Sequence, residues 1–147
     1  MEFFLLAILA LLAGAGLPVQ ASVNSAMRQH LGRPEWAALV NFGVGFLALA
    51  GLLVAQRATL PPAEAFGRAP WWAWSGGVLG AFFVAVTVVL TPRLGLVATM
   101  ALILAGQVAA ALAMDHHGLL GLGSRALTPA RALGAALLVV GVILVQR

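Results

Sequence analysis

Five apolar stretches, separated by short runs of arginine, proline and glycine, set the pattern of this chain. Each is near the roughly 20 residues that an α-helix needs to cross about 30 Å of hydrocarbon. The pattern predicts helices over residues 3–27, 35–56, 70–91, 95–114 and 129–146. The punctuation agrees with these limits. Glu35 sits in a first turn, where an acid suits the helix dipole, and Pro70 and the pair Thr128–Pro129 suit helix starts. Asp115, His116, His117 and Gly118 are expected to end the fourth helix, with Asp115 solvated or paired to an arginine. Arg28, Gln29, His30, Gly32, Arg33 and Pro34 are expected to make a polar connection. The stretch from Arg57 to Arg68, broken by Pro61 and Pro62, reads as a loop in which AEAF forms a turn of interfacial helix.

Polar residues inside the apolar stretches are few, and they carry the functional information. Gly16, Gln20 and Asn24 recur every four residues, so a first helix loosened at Pro18 presents two amides on one face. The second helix adds Asn41 within NFGVG, and the fourth adds Gln107, eight residues after Thr99. At the α-helical rise, Gln20 lies about 12 Å inward of Arg28, Asn41 about 9 Å inward of Glu35, and Thr87 about 9 Å inward of Arg93. Those three share a level, while Gln107 lies deeper, about 18 Å from Gly95. Intramembrane amides either hydrogen-bond helices to one another or line a path for a polar solute. The candidate substrate-binding set is Gln20, Asn24, Asn41 and Gln107 as hydrogen-bonding groups, Phe42 and Trp74 as apolar walls, and Pro18 as a hinge. Trp71, Trp72 and Trp74 also fit an aromatic belt at a membrane interface. Gly76 with Gly80, and Gly134 with Gly141, read as small-residue packing seams.

Composition fixes the class, with 63% hydrophobic residues, 8% charged residues and a mean hydropathy of +1.06. This is the composition of an all-α integral membrane protein forming one membrane domain over residues 1–147. The net charge of +4 comes from single arginines flanking the spans and asks for no nucleic-acid partner. There is no cysteine, and the adjacent His116 and His117 are not expected to face one another on a helix, so no metal or other cofactor is expected. No nucleophile–base pair or phosphate loop points to an enzyme. Glu2 stands where a secretory signal would carry a cation, which favours a retained first helix.

Five spans place the termini on opposite sides and allow the arginines to be sorted. Arg57, Arg68, Arg125 and Arg131 fall on the N-terminal side, and Arg28, Arg33, Arg93 and Arg147 on the other, four against four. Without a Lys/Arg imbalance there is no strong electrostatic preference for one orientation. Dual topology is the expectation, with two antiparallel copies forming a ten-helix inverted repeat. A chance balance in a singly oriented protein is the alternative.

LPVQASVN in the first helix, NFGVG in the second, GGVLGAFF in the third, PRLG before the fourth, LAGQ followed by DHHGLLG, and RALGAALLVVGVILVQR at the end together resemble the small five-helix YdcZ-type family of the drug/metabolite transporter superfamily. The resemblance covers the whole chain. It implies half of an inverted-repeat transporter of a bacterial inner membrane, paired with an antiparallel copy of itself or a paralogous chain, with alternating access to a central cavity. The chain also resembles the small multidrug resistance proteins in size, but they use a membrane-embedded glutamate, whereas Glu2, Glu35, Glu64 and Asp115 here fall at helix ends or in loops. That difference points to a neutral or zwitterionic small solute. Two other readings are a small dual-topology ion channel similar to the Fluc fluoride channels, and an accessory membrane subunit without transport. Against the channel, the phenylalanine- and threonine-rich broken-helix segment of that family is missing here.

Overall fold

The computed structural model describes residues 2–121 and 123–145. Six α-helices follow one another: α1 (Glu2–Leu31), α2 (Pro34–Ala55), α3 (Ala63–Arg68), α4 (Ser75–Leu94), α5 (Leu96–His117) and α6 (Pro129–Val145). Short 3-10 turns occupy Trp71–Trp74 and Leu119–Gly121, and there is no strand among the described residues. Four helical segments are long and apolar enough to cross a membrane, namely α1, α2, α4 together with its leading turn, and α5. The 17-residue α6 is apolar and at the lower limit of that length. Gln146, the expected end of this last helix, and Arg147 lie outside the described residues.

The chain divides into two compact units, one ending at Arg93 and the other beginning at Leu94. In the first, α1 and α2 form a helical hairpin. The first helix continues to Leu31 instead of stopping near residue 27, because Arg28 and His30 in its last turn offset the negative end of the helix dipole. Gly32 stops it, taking φ +77° and donating its N–H to the Arg28 carbonyl at 2.8 Å. The polar connection expected over residues 28–34 is thus reduced to Gly32 and Arg33, and Pro34 opens α2. The AEAF turn is present as α3. Pro70 caps a 3-10 turn of three tryptophans and not a regular helix, and α4 then runs through Pro92 to Leu94, past the expected end at residue 91.

In the second unit α5 and α6 pack antiparallel. The fifth helix extends to His117, three residues beyond the expected limit of 114, and Gly118 closes it in the left-handed conformation, with φ +60°. Ala101, Leu104 and Ala105 of α5 and Leu138, Gly141 and Val142 of α6 line a hollow of about 220 Å³ between the two helices, and a Cβ added at Gly141 would meet open space, so the packing seam expected at this glycine is not closed here.

Burial is distributed as lipid requires. Most large apolar side chains point outward, with Leu11 73% and Val44 62% exposed, whereas the buried positions are small, polar or valine: Ala21, Asn24, Ala37, Ala38, Val84, Thr87, Val88, Thr99 and Val142. Water as the solvent would select the reverse. Thr87 and Thr99 return their hydroxyls to their own helices, Thr87 to the Val84 carbonyl and Thr99 to the Gly95 carbonyl, both at 2.8 Å.

Candidate functional site

The α1–α2 hairpin places Gln20 and Asn41 on one hollow of about 510 Å³, whose remaining wall is the apolar face of α2 from Phe42 to Leu49. The geometry follows from the tight link at Gly32–Arg33. Residues 20 and 41 lie on antiparallel helices on either side of that link, and both open onto the hollow. Gln20 is exposed and Asn41 half-buried. An amide displayed on the open face of an apolar helix has no water to bond in hydrocarbon, so it needs cover or a polar ligand.

Phe42 separates this hollow from a second one of about 500 Å³ between α2 and α4, lined by Ala38, Val78 and Phe82 and with Glu35 among its residues. The Phe42 ring reaches Gly80, where an added Cβ would lie 3.3 Å from the ring tip. Gly80→Ala is therefore expected to be accommodated by a small ring shift. Gly80→Leu must expel the ring, and a loss of about 1–3 kcal/mol of stability is expected from such overpacking, measurable as a lower thermal midpoint in detergent.

The other expected site residues are more dispersed. Asn24, one turn beyond Gln20, is 4% exposed and shares a helical face with the buried Ala21 and with Arg28, not with the hollow. Trp74 is 61% exposed and tilts against Phe66 of α3 with ring centroids 6.4 Å apart. It does not line the Gln20–Asn41 hollow. Gln107 is exposed on α5, in the second unit. Pro18 lies inside an unbroken α1, and the Ser22 hydroxyl donates to its carbonyl at 2.9 Å.

At the end of α5, Asp115 is paired with Arg131. The same guanidinium donates to the carbonyls of Arg125 and Ala126, at 3.3 and 3.4 Å, and the Arg125 N–H returns to the Asp115 carbonyl at 2.7 Å. The His116 Nδ1 accepts the Leu127 N–H at 3.4 Å. His116 and His117 do meet, edge to face with centroids 4.9 Å apart, contrary to the spacing argument, because they occupy the last helical turn. No group of three or more potential metal ligands occurs among the described residues. Sequence reasoning also passed over Arg28, whose guanidinium reaches α4. The available signal was Pro92, which deprives one α4 carbonyl of its partner.

Helices of bilayer length with a largely apolar exterior define an integral membrane protein. A protein-family model described as "Putative inner membrane exporter, YdcZ" matches residues 5–144. The chain is 32% identical over 143 residues to the inner membrane protein YdcZ of Escherichia coli (strain K12), covering 92% of this chain and 90% of that one. No solved structure matches it. The chain belongs to the YdcZ family of the drug/metabolite transporter group and is an inner-membrane protein.

Proposed function

We propose that this protein exports a small polar solute, neutral or zwitterionic, by alternating access in an antiparallel dimer of five-span chains. The observation that carries this reading is the pair of amides, Gln20 and Asn41, on an open hollow of an otherwise lipid-facing hairpin. A second, inverted chain would cover that hollow and turn a costly exposed amide into one wall of a cavity. The wall of Phe42 supplies apolar contact. Pro18 serves as the hinge, since a helical proline leaves the Gly14 carbonyl without its intrahelical donor. The exporter description of the family supports the transport class, and the absence of a carboxylate from the middle of any span favours an uncharged or zwitterionic cargo.

Orientation tests the assembly. Reporters fused to the C-terminus, one active only in the cytoplasm and one only outside it, are both expected to give signal, and one or two lysines added to a single loop should abolish one of them. Signal from one reporter alone would exclude the self-paired inverted repeat. Counterflow of labelled neutral amino acids and polyols in liposomes tests the activity: saturation identifies a carrier, a non-saturating flux identifies a channel, and no flux with the chain alone identifies an accessory subunit.

A further inference from the structure

A proline inside a helix frees the carbonyl four residues earlier. In α4 that proline is Pro92, and the freed oxygen belongs to Val88. The Arg28 guanidinium of α1 donates from Nη1 to this oxygen at 3.3 Å. Val88 is fully buried, so water has little access to replace the donor. Charge favours the same contact. Both α1 and α4 end on this side of the hairpin, at Leu31 and Leu94, and Gly32 of one and Pro92 of the other line a common hollow of about 300 Å³ with Ser25, Arg28 and Gln29. Two negative helix ends therefore come together beside Arg28, with His30 and Arg93 also in those last turns. The same consideration argues against an anion-binding role for this hollow, since an anion would meet those ends as well. Nearby on α4, the Thr91 hydroxyl is buried without a partner, so the seam is polar and incompletely satisfied.

We propose that Arg28 is a positioning residue that latches α1 to α4, its guanidinium taking the place of the amide proton that Pro92 lacks and closing the polar seam at this membrane face. The proposal does not depend on which solute is carried or on how copies pair. Its mark is a dependence of Arg28 on Pro92 that a general packing or charge role would not produce. The chain has no cysteine, so a single Ser25→Cys substitution reports on access to the hollow. The probe is the rate of reaction with a hydrophilic maleimide, measured on the full chain in lipid nanodiscs.

Arg28→Gln is expected to accelerate labelling about tenfold, the scale set by losing a hydrogen bond from a charged donor. Arg28→Lys, which retains the positive charge and most of the reach that Gln lacks, should accelerate it by less than about threefold by the same reasoning. In a Pro92→Ala background the Val88 carbonyl regains its helical amide, and Arg28→Gln should then change the rate less than about twofold. Equal acceleration in both backgrounds, or none in either, would overturn the latch. If Arg28→Gln alone does not fold, the yield of monodisperse protein becomes the readout. Recovery of that yield on adding Pro92→Ala supports the proposal, and failure to recover rejects it.

Discussion

Replacing Gln20 and Asn41 together by alanine is expected to lower solute export about a hundredfold while the protein remains folded. Each amide lines the same hollow, and each is proposed to hold the solute by hydrogen bonds that water does not replace. A hydrogen bond lost in such surroundings is worth about 1–1.5 kcal/mol, or roughly tenfold per residue. Stability should change little, because within the chain Gln20 is exposed and Asn41 only half-buried. The check is initial-rate counterflow in liposomes set beside thermal unfolding of the same preparations. Normal transport by a folded double variant would remove Gln20 and Asn41 from the pathway.

Arg131→Ala is expected to cost about 2 kcal/mol, felt in the second unit. Arg131 and Asp115 are 32% and 28% exposed, between a surface pair worth at most about 1 kcal/mol and a buried one whose disruption costs about 3–5. The substitution also strips the donor from the Arg125 and Ala126 carbonyls, and so loosens the stretch whose amides bond to Asp115 and His116. Hydrogen exchange at the Arg125 and Leu127 amides is the measurement, with a loss of protection of roughly thirtyfold expected from that free energy. Asp115→Asn in the same chain should restore part of it by removing the unpaired carboxylate. Unchanged exchange at Arg125 would show that the ion pair does not organise the connection.

Much of the fold was legible because a bilayer imposes simple rules. Long apolar runs had to be helices, and Gly118 and Pro129 fell where helix stops and starts belong. The errors came from polar residues at helix ends. Arg28, Gln29 and His30 look like a loop by composition, but a cation in a last turn stabilises that turn, and the stop is Gly32. The fifth helix likewise ran on through His116 and His117 to its stop at Gly118. Site geometry was less legible, because a four-residue step on a helix advances the face by about 40°. That offset is enough to set Gln20 on a hollow and Asn24 in a buried seam. Trp74 could not be placed from spacing, since its 3-10 turn abandons the helical register the spacing assumed. The Arg28 contact was invisible for a different reason: it joins residues 60 positions apart.

The two-residue link between α1 and α2 also constrains how the protein is made. Gly32 and Arg33 hold the end of α1 and the start of α2 together at one membrane face, so residues 2–55 are expected to settle in the bilayer as one paired element. The orientation of that pair also sets the face on which α3 and the tryptophan turn emerge.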